Sequence, residues 1–171
     1  KTTKESSPCR IFFTGTTGKI MPFFFCVGRE AHVGYSFDGV NAAAIAARVV
    51  CLMDCCPDLM DGTGPNTLTP PVCLTLKDLR HTYSVTLPER ATALFNVLSV
   101  SRTPGQMIEI CRKVAQRALD ETIAAIEEAG RRFQNLSGRA DTPVPRWNPA
   151  VFTIRELMES LAGSDGVEAM E

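Results

Sequence analysis

Two histidines and seven cysteines offer this 171-residue chain its most versatile chemistry, and their settings differ. His32 lies in Gly28-Arg29-Glu30-Ala31-His32-Val33-Gly34, a loop between an apolar run and an alanine-rich segment. Glycines on both sides let the backbone approach a ligand, so His32 is a candidate for electrostatic or general-acid work. The opposing reading is a surface-loop histidine without a task. His81 follows Arg80 in a polar turn and reads as solvated.

The cysteines are Cys9, Cys26, Cys51, Cys55, Cys56, Cys73 and Cys111, an odd number. They read as reduced thiols, most of them small core hydrophobes, rather than as a disulfide framework. Cys51, Cys55 and Cys56 have no second ligand cluster, and no His-x-Asp, His-Glu-x-x-His or Cys-x-x-Cys pair occurs. No zinc site is assembled by a familiar spacing. Glu127-Glu128 reads as a solvated helix face. Gly15-Thr16-Thr17-Gly18-Lys19 lacks the phosphate-loop pattern, and no Gly-x-Ser-x-Gly elbow is present. By itself the chain lacks the parts of a catalyst.

The elements that must position His32 follow from periodicity and turn chemistry. Cys9–Thr14 is a short apolar run, and Lys19–Val27 reads as an aromatic-rich strand stopped by Gly28. Val40–Met53 has apolar residues at Val40, Ala43, Ala44, Ala47, Val50 and Cys51, close to helical spacing. Pro57–Pro71 is rich in Pro and Gly and reads as a loop, either functional or mobile. Val72–Leu76, Tyr83–Leu87 and Ala91–Ser101 read as extended segments. Thr103 and Pro104 mark an N-cap and first helical position. Met107, Ile110, Cys111, Val114, Ala118, Leu119, Ile123 and Ile126 then trace one helical stripe, with Gly130 a potential C-cap unless Arg131-Arg132-Phe133 continue the helix. Ala150–Thr153 is read as a last strand, and Ile154–Leu161 as a short amphipathic helix capped by Thr153. This order predicts an α+β, ferredoxin-like two-layer sandwich: an antiparallel four-stranded sheet with two main helices on one face.

Composition narrows the function classes. Hydrophobic residues make up 44% of the chain and charged residues 22%, enough for a real core. Eighteen basic against 19 acidic residues give a net charge of −1, so nucleic acid is not expected as a partner. No apolar run approaches the ~18–20 residues of a membrane span, so no membrane partner is expected. A cytoplasmic location is the expectation. The opening at Lys1 and the small, acidic tail Gly163–Glu171 read as the ends of a segment cut from a longer polypeptide.

Gly28-Arg29-Glu30-Ala31-His32-Val33-Gly34 followed by Gly39-Val40-Asn41-Ala42-Ala43 resembles the lid-domain signature of the zinc exopeptidase and aminoacylase family. That family includes carboxypeptidase G, succinyl-diaminopimelate desuccinylase and acetylornithine deacetylase. The resemblance is closest to its arginine-utilisation (RocB-like) branch. It runs through Thr14-Gly15 to Lys19, the His32 loop, Pro70-Pro71 with Cys73-Leu74, Tyr83-Ser84-Val85, Phe95-Asn96, Arg102-Thr103 and Trp147.

The resemblance implies a division of the chain: residues 1–8 as a linker end, 9–153 as a lid and dimerisation domain, and 154–171 as a helix and tail leading back to a catalytic domain. That domain, of the same polypeptide, would hold two zinc ions, and a homodimer is implied. No metal ligand or cofactor is expected within this segment, which alone should be inactive. His32 matches the lid histidine that stabilises the oxyanion when an amide is hydrolysed. Asn41 matches the Asn of Gly-x-Asn-Ala, a helix-capping position first and a substrate-binding candidate second. A carboxylate-binding Arg and an Asn found in many relatives are replaced here by Leu98 and Ser84, which leaves Ser84 and Arg102, or else Arg29, as substrate-binding candidates. The alternative function is a stand-alone interaction or small-ligand-binding module without catalysis.

Overall fold

The computed structural model describes residues 15–82, 84–138 and 145–163. The apolar run Cys9–Thr14, the opening residues 1–8, Tyr83 and the acidic tail beyond Gly163 lie outside them. Among the described residues, four strands form one antiparallel sheet: β1 (Gly18–Ile20), β2 (Phe23–Val27), β3 (Val72–Asp78) and β4 (Arg90–Ser99). The helices are α1 (Ala42–Met53), α2 (Pro104–Ser137) and α3 (Ile154–Gly163).

Every strand pairs with β4. Gly18 lies opposite Ser99 and Phe23 opposite Leu94, so β1 and β2 continue one register along one edge. Met21-Pro22 interrupts them, and the Phe95 amide donates to the Pro22 carbonyl at 3.1 Å across the gap. β3 occupies the other edge, bulged between Cys73 and Thr75. One face carries Ile20, Phe24, Cys26, Ala91, Ala93, Phe95 and Val97, over which α1 and α2 pack. Phe95 is fully buried there, its ring edge-on to Phe24 at 5.7 Å. The small Ala91 and Ala93 let the helices sit close to the sheet. The fold is the expected α+β arrangement.

Four expectations need correction. Ala150–Thr153 is not a strand: the Thr153 amide is held by Glu156 Oε2 at 2.7 Å as part of the α3 cap, and Pro149 supplies no N–H to a ladder. Of Tyr83–Leu87, where Tyr83 lies outside the described residues, residues 84–87 form no strand and contribute an isolated bridge, Thr86 with His32. Helix α1 buries Ala42, Ile45, Ala46, Val49 and Met53, a different face from the one expected, while Ala44 and Cys51 are exposed. An alanine-rich helix is apolar nearly all round, so spacing alone does not choose its inner face. Among the described cysteines, all of them free, Cys26 and Cys111 are buried and Cys73 packs against the core, while Cys51 and Cys55 are exposed, so three of the six rather than most belong to the core.

Helix α2 begins at the expected cap, with Thr103 and Gln106 forming a capping box. It does not stop at Gly130, which is buried mid-helix. It runs 34 residues to Gly138, whose φ of 68° supplies the left-handed C-cap. Arg131 reaches back to Glu128 at 3.1 Å and supports the added turns.

The Pro57–Pro71 connection is pinned rather than loose. Asp61, 4% exposed, accepts hydrogen bonds from the backbone amides of Gly62, Val100, Ser101 and Arg102 and from the hydroxyls of Ser99 and Ser101. These donors hold its carboxyl far below the usual carboxylate range, the Ser101 hydroxyl most of all.

Candidate functional site

The His32 loop is pinched shut at its base by two glycines. A Cβ at Gly28 would collide with the Val40 carbonyl oxygen, and one at Gly39 would lie 2.6 Å from the Arg29 carbonyl oxygen. With neither present, Arg29 and Val40 exchange backbone hydrogen bonds at 2.9 Å in both directions. The loop is also strapped to residues 85–89: Gly28 donates to Glu89, Leu87 to Ala31, and Val33 to Val85, at 2.7–3.1 Å. Phe37 stacks on Phe133 at 5.4 Å, tying the 3-10 turn Val33–Asp38 to the last third of α2.

His32 caps that 3-10 turn, its Nδ1 accepting from the Gly34 amide at 3.0 Å. A neutral imidazole whose Nδ1 accepts must carry its proton on Nε2. Because the residue is exposed, the loop presents Nε2–H outward as a fixed donor.

The other sequence-singled residues divide between the two ends of β4. Asn41 Oδ1 accepts from Ala43 at 2.9 Å and Ala44 at 3.4 Å, capping α1 beside the loop. Ser84 shares a 2.7 Å hydroxyl–hydroxyl bond with Thr86, whose backbone bridges to His32. His32, Asn41 and Ser84 therefore gather at the Arg90 end of the sheet. Arg102 lies beyond the Ser99 end, about 30 Å along the strand. Its guanidinium donates to the Leu59 carbonyl at 2.9 Å and stands 3.9 Å from Asp61. Arg29 lies over the Trp147 ring at 5.6 Å, in cation–π contact.

Sequence reasoning missed a cleft of about 470 Å³ at the same end, on the sheet face that no helix covers. Phe25, Lys77 and Arg90 face it from three strands, and Arg80, Ser84 and Thr86 wall it from the connection between β3 and β4. The signal was strand alternation: Phe25 and Lys77 both pair with Thr92, which places them on the face opposite Cys26 and Ala91. Among the described residues no group of three His, Cys, Asp or Glu side chains could hold a metal ion. Zinc therefore does not fit them. No helix among them is long and apolar enough to cross a membrane.

No family model matches the chain. It is 32% identical, over 160 residues, to the uncharacterized protein YqjN of Bacillus subtilis (strain 168), and 25% identical over 159 residues to Protein RocB of the same organism. These matches cover 94% and 92% of the chain but only 29% and 28% of those proteins. The chain thus spans less than a third of the length of the curated relatives to which it is similar.

Proposed function

We propose that this chain is the lid domain of a larger amide hydrolase of the zinc exopeptidase and aminoacylase type, acting on amino-acid derivatives or small peptides. The observation that carries the reading is the fixed, outward Nε2–H of His32 on a loop strapped at both ends. Such a donor suits the oxyanion that forms when an amide carbonyl is attacked: it is already oriented, so little reorganisation is needed as charge develops. The similarity to YqjN and RocB along nearly the whole chain, over less than a third of theirs, agrees with a domain of a longer enzyme.

In this reading the zinc ions and the general base belong to the rest of that enzyme, and the whole protein is a dimer. This chain binds and orients. Its His32 donates a hydrogen bond to the developing oxyanion, Asn41 holds the helix that follows the loop, and Ser84 offers a hydroxyl beside it. The test is His32→Ala in the longer enzyme. The expected result is kcat lower by about 100-fold, the usual size of one oxyanion donor, with metal content and circular dichroism unchanged. An unaltered kcat would overturn the role.

A further inference from the structure

Arg29 stands at the base of the His32 loop, and its side chain meets a residue from the far end of the chain. The guanidinium carbon lies 5.6 Å from the centroid of the Trp147 ring. Trp147 belongs to the segment that follows α2 and leads into α3. It packs in turn against the buried cluster that includes Val40, Ala42 and Ile45. The indole therefore joins Arg29 to the core. Its Nε1 is buried and has no hydrogen-bond partner among the described residues. A buried N–H left unpaired is costly, so a hydrogen bond does not account for a tryptophan here. Its ring does: among the aromatic side chains it is the best face for a cation.

The main chain of Arg29 closes the loop, exchanging hydrogen bonds with Val40 at 2.9 Å in both directions. One residue thus carries the closing pair on its backbone and the contact with Trp147 on its side chain. We propose that Trp147 and Arg29 are positioning residues for His32: the ring holds the guanidinium, and through it the loop base from which Nε2–H is presented. The catalytic meaning of this clamp rests on the lid reading, whereas its geometry does not. It takes Arg29 out of the substrate-binding candidates and makes it a support. It also ties the His32 loop to the chain that leaves toward α3.

The test reads hydrogen exchange at the Arg29 and Val40 amides of the chain, with the α2 amides as the reference for global opening. Arg29→Met should speed exchange at those two amides by about two- to five-fold, the ratio that a partly exposed cation–π contact supplies. Trp147→Leu should speed it at least as much. Once the ring is gone the cation has nothing to hold it, so the double variant should match Trp147→Leu. Arg29→Lys keeps a cation over the ring and should lie closer to the parent than Arg29→Met does. Arg29 is exposed, so Arg29→Met keeps the fold even where loss of the indole does not. Unchanged exchange in Arg29→Met, or single effects that multiply in the double variant, would make Trp147 a filler of the core and overturn the proposal.

In the longer enzyme Arg29→Met should lower kcat by the same factor and leave KM within about two-fold. A KM raised about ten-fold, at unchanged loop exchange, would make Arg29 a substrate ligand and overturn the clamp. So would an unaltered kcat in Arg29→Met where His32→Ala is impaired. An unaltered kcat in His32→Ala defeats the lid reading instead, and the exchange rates alone then decide the clamp.

Discussion

The Gly34 backbone amide donates to Nδ1 of His32 at 3.0 Å, so a residue two positions away decides which nitrogen of the ring can act. Nitrogen-detected spectra of the neutral chain should show the Nε2–H tautomer in large excess. Gly34→Pro removes the donor and should bring the second tautomer into view. An unchanged tautomer ratio in that variant would mean that the amide does not set it.

Asn41 caps α1 with its side-chain oxygen on two amides. Asn41→Ala should cost about 1 kcal/mol of stability, and Asn41→Gly only a few tenths, because glycine keeps the backbone freedom of the cap position. Urea unfolding with an unchanged slope is the measurement.

Asp61 makes stability depend on pH in a definite direction. Its carboxyl is depressed in the folded chain and sits near 3.8 when unfolded, so its contribution is complete above that value. As pH falls below about 3.8 the unfolded state takes up the proton first, and the contribution drains away toward the much lower folded value. Asp61→Asn should lower the urea midpoint at pH 7 and flatten the acid limb of the stability curve. A variant whose acid limb matches the parent's would sink this account.

Phe95 fills the centre of the sheet's covered face and touches nothing but protein. Phe95→Ala should cost about 3–5 kcal/mol, a large part of a domain's stability, and calorimetry should show a correspondingly lower melting temperature.

The thiols should divide by position. Burial pushes Cys26 and Cys111 up to about 11, while Cys51 and Cys55 are exposed. Iodoacetamide at neutral pH should label Cys51 and Cys55 within minutes and reach Cys26 and Cys111 only after denaturant is added. Early label at Cys111 would show that α2 opens from the sheet.

Local signals were readable where one element's own residues sufficed. Thr103-Pro104 and the stripe from Met107 to Ile126 announce α2, and the glycines at 28, 34 and 39 mark the His32 loop. Signals failed where the answer depends on residues far apart in the chain. Nothing near Asp61 tells that Ser99–Arg102 will surround it, so Pro57–Pro71 reads from sequence as a loop that is either functional or mobile. The inner face of α1 depends on which side meets β4, and an alanine-rich surface carries no such mark. The cleft combines Glu30, Lys77 and Arg90 from three segments that only the strand register brings together.

Because β1, β2 and β3 all pair with β4 and not with one another, the order of synthesis matters for this chain. Phe23-Phe24-Phe25 leaves the ribosome with no strand to join until Thr92–Leu94 has followed it out. At ~5–20 residues per second that wait is roughly 4–14 s. During it the three phenylalanines form an aromatic, uncharged, β-prone stretch, the kind of segment that holding chaperones bind and that aggregates when they are scarce. Codon choice and chaperone supply between these two points should therefore govern the yield of native protein more than any surface substitution.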